Sequence, residues 1–239
     1  METLQNKVAL ITGGTKGIGK GIAESMLENG MKVGITSRSQ EAATKIAQEL
    51  AEKYGENVIG LESDVRNYGS QQTAVSQLVD RYGSLDVLIA NAGVGHFASI
   101  EEMTPKQWQD TIDINLTGVF YSVKAALEEL KKSEGYLITI ASLAGTNFFA
   151  KGAAYNASKF GLVGFTQAVM LDVRQMGIKA TTIMPGSVAT HFNGNEPDDS
   201  DAWKIQPGDL GQLTIDLLKM HPRTLPSKVE VRPSMPPSK

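Results

Sequence analysis

Short apolar runs and longer amphipathic stretches alternate along the chain. Residues 7–12 form a nearly unbroken apolar run, which is typical of a strand that is covered on both faces in a parallel sheet. Residues 20–29 then place apolar side chains at helical spacing, and Gly30 follows at a position that favours the end of a helix. The pattern therefore predicts a β-α unit at the start of the chain.

The same alternation continues through most of the sequence. Further strands are predicted at residues 32–37, 57–63, 85–90, 136–141 and 178–184, and a short edge strand within residues 226–233. Helices are predicted at residues 40–54, 67–82, 104 to about 132, and 153–175. Repeated β-α units build a parallel sheet with helices on both faces, so we expect an α/β fold with a doubly wound parallel sheet of about seven strands. No linker divides the pattern, which favours one domain over residues 1–239 with a proline-rich tail at 233–239.

Composition narrows the class of protein. The net charge of -3 gives no electrostatic reason to expect a nucleic-acid partner, and 41% apolar content suits an α/β enzyme. The chain has no cysteine, which removes disulfides, thiol catalysis and thiolate metal sites. The three histidines lack metal-ligand spacing, so no metal is expected. No apolar run is long enough to span a bilayer and no signal peptide is visible, so we expect a cytoplasmic protein with no membrane partner.

A tyrosine and a lysine are the strongest candidates for catalysis. Tyr155 and Lys159 are separated by one helical turn and can point into one pocket, and Ser142 lies thirteen residues before the tyrosine. A free phenol has a pKa near about 10, and one ammonium at about 4 Å supplies roughly the 4 kcal/mol needed to lower it by about three units. We therefore expect Lys159 to lower the pKa of Tyr155, which would then exchange a proton with a carbonyl or alcohol oxygen that Ser142 also contacts.

The first strand leads into a glycine-rich turn. Between this strand and the first helix lie Gly13, Thr15, Lys16, Gly17, Ile18 and Gly19. Glycines let backbone amides approach a pyrophosphate, and the start of the helix faces its negative charge. The spacing matches the general dinucleotide-binding fingerprint Gly-x-Gly-x-x-Gly only loosely. The turn nevertheless predicts a dinucleotide site, and other strand-end residues should lie close to it.

Several motifs together resemble the short-chain dehydrogenase/reductase family. These are Thr12-Gly13-Gly14-Thr15-Lys16-Gly17-Ile18-Gly19, Asn91-Ala92-Gly93, Asn115, Ser142, Tyr155-x-x-x-Lys159 and Pro185-Gly186, in the family's order and spacing from residue 7 to about 190. The resemblance implies a Rossmann fold, a nicotinamide cofactor and the catalytic set Asn115, Ser142, Tyr155 and Lys159. It further implies that Asn115 holds a water that passes protons from Lys159 to solvent.

The resemblance also assigns further cofactor contacts. Asp64 and Val65 would touch the adenine, although an ordinary strand-end acid would have the same pattern. Asn91, Ala92 and Gly93 would touch the cofactor or only support the sheet. The loop with Pro185, Gly186, Val188 and Thr190 would hold the nicotinamide amide and the pyrophosphate.

The end of the second strand bears on which cofactor is bound. An enzyme that prefers the unphosphorylated cofactor usually has an acid there, whereas this chain has Ser37 and Arg38. Arg38 can bind a 2′-phosphate through charge-assisted hydrogen bonds, and Lys16 can add a second positive charge. NADP(H) is therefore the predicted cofactor, and the alternative is that Lys16 and Arg38 are solvated surface cations.

The substrate is the least specified part of the prediction. The polar stretch within residues 188–210 suits a lid over the cleft, and His96 lies close enough to Gly93 to reach the same cleft. The resemblance is to 3-oxoacyl-carrier-protein reductases and carbonyl or 3-hydroxy-acid dehydrogenases, although the C-terminal end departs from the former. We expect reduction of a ketone to a secondary alcohol. The alternatives are oxidation of a 3-hydroxy acid or alcohol, and a non-catalytic NADP-binding regulator. The apolar excess on the helix of Tyr155 predicts a homodimer or homotetramer.

Overall fold

One parallel sheet organises the protein, for which a computed structural model describes residues 3–237. Its strands are β1 (Val8–Ile11), β2 (Lys32–Ser37), β3 (Val58–Glu62), β4 (Val87–Ala90), β5 (Tyr136–Ile140), β6 (Lys179–Pro185) and β7 (Lys228–Val231). They lie in the order β3-β2-β1-β4-β5-β6-β7, and every neighbouring pair is parallel. The predicted seven-stranded doubly wound sheet is confirmed. The strand order reverses between β1 and β4, which is where ligands bind in open α/β sheets.

Helices cover both faces of the sheet. They are α1 (Gly17–Glu28), α2 (Gln40–Tyr54), α3 (Tyr68–Tyr82), α4 (Pro105–Ile112), α5 (Gly118–Ser133), α6 (Ala153–Val173) and α7 (Pro207–Leu218). One hydrophobic cluster joins the sheet to α1, α2 and α7, and it includes Ile22 and Leu50. A second cluster on the other face includes Leu78, Leu130 and Leu162 of α3, α5 and α6. No helix within residues 3–237 is long and apolar enough to cross a membrane.

The predicted boundaries were wrong at two helices. Helix α1 begins at Gly17 rather than at residue 20, so the glycine turn leads straight into its first turn. The predicted helix from residue 104 to about 132 is not regular, because residues Asp113–Thr117 form a π-helical turn between α4 and α5. Both differences fall at the predicted functional site.

Helix α7 was not predicted, and the lid segment that was expected to reach residue 210 therefore ends earlier. The helix begins at Pro207, where the Asp209 carboxylate accepts a hydrogen bond of 2.8 Å from the Gln206 amide. It crosses α1 closely, since a Cβ atom on Gly21 would lie 2.6 Å from the Pro207 backbone. The absence of a side chain at Gly21 lets the two helices pack.

The C-terminal strand β7 agrees with the predicted edge strand, although it is shorter. Its last residue, Val231, accepts a hydrogen bond of 2.8 Å from the Gly186 amide in the loop after β6. Residues 232–237 continue without regular structure, and residues 238–239 of the predicted tail lie outside the described residues.

Candidate active site

A cleft of about 790 Å³ opens at the carboxyl ends of the parallel strands. Most predicted site residues line it, namely Gly13, Thr15, Lys16, Gly17, Ile18, Ser37, Arg38, Asp64, Val65, Asn91, Ala92, Gly93, Ser142, Tyr155, Lys159, Pro185, Gly186, Val188 and Thr190. Two predicted residues, Gly19 and Asn115, do not line the cleft and lie behind its wall. The topology therefore brings together residues that are as much as 177 positions apart, because the ends of the parallel strands meet at one edge of the sheet and the first turns of α6 also line the cleft there.

The glycine turn after β1 has the geometry that only glycine adopts readily. Gly13 and Gly17 have φ angles of 64° and 54°, in the left-handed region. The Asn91 side chain supports this turn by donating hydrogen bonds of 2.9 and 3.0 Å to the carbonyls of Thr12 and Gly13. A Cβ atom on Gly19 would lie 2.6 Å from the same Asn91 amide nitrogen. Gly19 and Asn91 thus hold the turn in shape, and Gly19 does so without facing the cleft.

The start of α1 is open toward the cleft. Lys16 precedes this helix and its side chain makes no capping hydrogen bond. By contrast, Ser39, Asn67 and Thr104 cap α2, α3 and α4 with their side chains. The first amides of α1 therefore face the cleft without a side-chain acceptor, which is the arrangement that binds phosphate at a helix N-terminus.

Two exposed cations line the cleft beside the glycine turn and the end of β2. Arg38 and Lys16 are exposed there, and neither forms a salt bridge within residues 3–237. Arg66 is different, because it pairs with Asp64 at 2.6 Å and holds the pKa of that carboxyl below its usual range. Arg38 adds a weaker attraction to the same carboxylate. Two cations therefore remain available at this end, beside an acid whose charge is already matched.

Tyr155, Lys159 and Ser142 meet at the other end. The first turns of α6 position Tyr155 and Lys159 on one helix face, and the loop after β5 positions Ser142. The Lys159 ammonium lies 5.7 Å from the centroid of the Tyr155 ring and donates a hydrogen bond of 3.0 Å to the Ile140 carbonyl. The Ser142 hydroxyl accepts a hydrogen bond of 3.1 Å from the Ala144 amide, which fixes its position at the end of β5.

The expected effect of Lys159 on the pKa of Tyr155 was wrong for this arrangement. Burial raises the pKa of the Tyr155 phenol above its ordinary value, and the nearby Ser142 hydroxyl only partly opposes that rise. Burial also lowers the pKa of Lys159 to about 8. The ammonium donates to the Ile140 carbonyl, and desolvation is the main cause of both pKa shifts. At neutral pH the site therefore holds a neutral phenol beside a lysine that is still mostly protonated.

Asn115 occupies the π-helical turn between α4 and α5. Its side chain is fully buried, accepts a hydrogen bond of 2.8 Å from the Val94 amide and donates one of 2.9 Å to the Val94 carbonyl. It also donates to the Ser158 hydroxyl at 3.0 Å. Asn115 therefore fixes the loop after β4, next to Gly93 and close to Lys159. Its role in proton transfer stays a prediction.

Several residues of the cleft were missed in the sequence. Phe97 and Phe192 line it beside Tyr155, and Lys204 lines it from the segment before α7. The signal that could have indicated the two phenylalanines is an aromatic residue in an otherwise polar or glycine-rich loop after a predicted strand. His96, expected to reach the cleft, does not line it, whereas His191 does. Within residues 3–237 no group of three or more acidic or histidine side chains could hold a metal ion.

Comparison with known proteins agrees with this geometry. The family model described as short chain dehydrogenase matches residues 7–201. The chain belongs to the short-chain dehydrogenase family. An uncharacterised oxidoreductase of Staphylococcus saprophyticus is 31% identical over 234 residues, covering 98% of this chain and 100% of that protein. A 3-oxoacyl-[acyl-carrier-protein] reductase of Vibrio cholerae is 36% identical over 211 residues, covering 88% of this chain and 85% of that one.

A solved structure is similar over nearly the whole length. The alcohol dehydrogenase from the archaeon Thermococcus sibiricus, complexed with 5-hydroxy-NADP, superposes with a TM-score of 0.91. It is 27% identical and the match covers 98% of this chain and 100% of that one. The predicted family, fold and oxidoreductase class are confirmed for this short-chain dehydrogenase.

Proposed function

We propose that this short-chain dehydrogenase reduces a ketone to a secondary alcohol with NADP(H) as its cofactor. The observation that supports the proposal most directly is that one cleft contains both parts of the site. The glycine turn and the uncapped start of α1 line one end of the cleft, and Ser142, Tyr155 and Lys159 line the other. A dinucleotide and a carbonyl compound would both find matching groups there.

The charge distribution supports NADP(H) over NAD(H). The exposed Arg38 guanidinium follows β2 directly, at a position where an acid would repel a 2′-phosphate, and the exposed Lys16 lines the same cleft from the turn before α1. Asp64 is the nearest acid of the lining, and its charge is neutralised by Arg66. The Thermococcus relative is complexed with 5-hydroxy-NADP, which agrees with the proposal of NADP(H) for this chain.

The chain's own residues fit the two halves of a reduction. When bound, the reduced cofactor supplies the hydride for the carbonyl carbon. Tyr155, neutral at pH 7 because burial raises its pKa, gives a proton to the carbonyl oxygen, and Ser142 donates a hydrogen bond to that oxygen. The buried Lys159 ammonium, 5.7 Å from the ring centroid, is the cation beside the phenolate that remains.

The class of substrate and the direction of the reaction are also part of this proposal. The Vibrio relative is a 3-oxoacyl reductase and the Thermococcus relative is an alcohol dehydrogenase, so both directions occur among similar proteins. A neutral Tyr155 is in the form that donates a proton, which is the form that reduction requires. Oxidation of an alcohol or 3-hydroxy acid is the second candidate.

A cofactor-oxidation assay tests the function. Purified protein is mixed with NADPH or NADH and a panel of acetoacetyl thioesters, 1,2-dicarbonyls, aryl ketones and 3-oxo acids, and the alcohol is quantified beside the oxidised cofactor. The proposal expects one alcohol formed per NADPH consumed with at least one class of ketone. Failure to oxidise either cofactor with any carbonyl, together with failure to reduce either oxidised form with the alcohols, would refute it.

We also propose that the protein assembles as a homodimer or homotetramer through α6. This helix exposes an uncharged stripe at helical spacing, made of Ala157, Phe160, Gly164, Ala168 and Leu171. Phe160 and Leu171 are 38% and 52% exposed, which is unusual for large apolar side chains that cluster on one face. A second copy of the same helix would cover the stripe and bury these residues.

A further inference from the structure

Three phenylalanine rings form a wall beside Tyr155, the proton donor. The Phe97 ring lies 5.4 Å from that of Tyr155, 5.7 Å from that of Phe149 and 6.4 Å from that of Phe192, measured between centroids. The Tyr155 and Phe192 centroids are 5.8 Å apart. Phe97 and Phe192 line the cleft, and Phe97 keeps 39% of its surface exposed, so the wall has apolar area free for a ligand, while Phe149 packs against Phe97 from outside the lining. We call Phe97, Phe149 and Phe192 the aromatic wall.

The loops that carry the wall are built to hold it in place. Phe97 follows β4 and Phe149 follows β5, and the two loops are joined by a hydrogen bond of 3.0 Å from the Ala98 amide to the Lys151 carbonyl. Glycines leave room for the rings, since a Cβ atom on Gly95 would lie 2.7 Å from the Phe192 ring. One on Gly152 would lie 2.7 Å from the Phe149 ring.

Phe192 is positioned in the segment before α7. Its amide donates to the Thr190 hydroxyl at 3.3 Å, and its carbonyl accepts from the Asn195 side chain at 2.7 Å. Two hydrogen bonds join the ends of this segment. The Ala189 amide donates to the Ile205 carbonyl, and the Ile205 amide donates to the Ser187 carbonyl. Phe192 therefore approaches Tyr155 from an anchored segment, opposite the loops of the other two rings.

The Lys204 cation of the segment before α7 is already paired with an acid. Lys204, the cation that this segment contributes to the cleft lining, has its ammonium 2.5 Å from the Asp201 carboxylate. A carboxylate on the substrate would have to compete with Asp201 for that lysine. An uncharged apolar group meets no such competition, and it gains contact with the ring faces.

We propose that the aromatic wall is a specificity subsite for ketones that have an aryl or branched apolar substituent next to the carbonyl. The inference rests on the proposed function, because it takes the Tyr155 hydroxyl as the donor to the carbonyl oxygen. A substituent on that carbonyl carbon lies within a few ångströms of the Tyr155 hydroxyl, and the centroids of the Phe97 and Phe192 rings lie 5.4 and 5.8 Å from that of the Tyr155 ring. Small 3-oxo acids are the substrates that the wall disfavours.

A matched pair of substrates tests the subsite. Ethyl benzoylacetate and ethyl acetoacetate differ by phenyl against methyl beside the ketone, so the ratio of their kcat/KM values with NADPH isolates the substituent. We expect the wild-type enzyme to prefer the aryl ester by about tenfold or more, the effect of burying one ring. Phe97→Ala and Phe192→Ala should each reduce that ratio by about fivefold or more, with NADPH affinity unchanged.

Phe148→Ala is the matched control. Phe148 neighbours Phe149, but it is 83% exposed and its ring stacks on Phe160, away from the cleft. Its removal should leave the ratio unchanged. If the enzyme reduces both esters equally well, or if Phe97→Ala and Phe148→Ala have the same effect, the subsite is disproved while the reductase activity stands. If no carbonyl is reduced at all, the proposed function itself fails.

Discussion

At the scale of single residues, we expect Arg38 to set the preference of the cleft for NADP(H) over NAD(H). Arg38→Glu replaces an exposed cation at the end of β2 with an acid that would repel a 2′-phosphate. Charge-assisted hydrogen bonds contribute about 1.5–3 kcal/mol, so the Kd for NADPH should rise at least about tenfold while the Kd for NADH changes little. Fluorescence titration with both cofactors measures this. Arg81→Glu, on α3 away from the cleft, is the control, and an equal loss for NADPH and NADH would place the phosphate elsewhere.

Lys159 gives the site a measurable dependence of stability on pH. Burial lowers its pKa from 10.5 to about 8 in the folded protein. Between these values the unfolded chain binds more protons than the folded one, so the free energy of unfolding rises with pH in this window. The full shift corresponds to about 3 kcal/mol.

The variant Lys159→Met lacks this contribution. Urea unfolding at pH 8 and at pH 10.5 should show the wild type gaining about 3 kcal/mol relative to the variant. The difference between the two proteins removes the effects of all other titrating groups. Parallel pH profiles would mean that Lys159 is not desolvated as the structure has it.

At the scale of elements, the contact between α1 and α7 depends on glycine. A Cβ atom on Gly21 would meet the Pro207 backbone at 2.6 Å, so Gly21→Ala should separate the helices and lower the free energy of unfolding by about 1–3 kcal/mol. Gly208→Ala is the control, because nothing lies within 4 Å of its added Cβ and the change should be neutral or stabilising by up to about 1 kcal/mol. Urea denaturation measures the free energy of unfolding of both variants. Equal values for the two would contradict the close packing of α1 against α7.

The strands could be predicted from the sequence because burial on both faces leaves a local signal. Every residue of β1, β4 and β5 is buried, and each strand is an apolar run. The π-helical turn left no such signal. It depends on Asn115 contacting Val94 and Ser158, residues 21 and 43 positions away. Helix α7 was missed because its start, with Gln206 and Asp209, follows a polar segment that reads as one continuous loop.

Some residues of the candidate site could likewise be predicted from the sequence, and others could not. Glycines, Ser142, Tyr155 and Lys159 have fixed spacings and could be placed in one cleft because strand ends of a parallel sheet meet. The aromatic wall was missed, because Phe97, Phe149 and Phe192 come from three loops without a shared spacing and each has only the weak signal of an aromatic residue in a loop. The direction of the Tyr155 pKa shift was also beyond the sequence. It depends on how deeply the phenol is buried and on where the Lys159 ammonium points.

At the scale of the whole molecule, assembly through α6 is the main expectation. Ala168→Arg places a charge in the middle of the exposed stripe and should dissociate the oligomer, because burying an unpaired charge is costly. Light scattering after size exclusion should give two or four times 25.7 kDa for the wild type and 25.7 kDa for the variant. Ser76→Arg, on the exposed side of α3, should leave the mass unchanged. A monomeric wild type would contradict the proposed assembly, and the cytoplasmic location stays a prediction.

The most direct test of the account is the rate of ketone reduction by Tyr155→Phe. The substitution removes only the hydroxyl that gives the proton, so single-turnover reduction under saturating NADPH should slow by at least about a hundredfold. NADPH affinity and thermal stability should remain near wild type, and Tyr82→Phe, on α3 outside the cleft, should react normally. A Tyr155→Phe enzyme that reduces the ketone at a near-normal rate would contradict the central claim that this phenol is the proton donor.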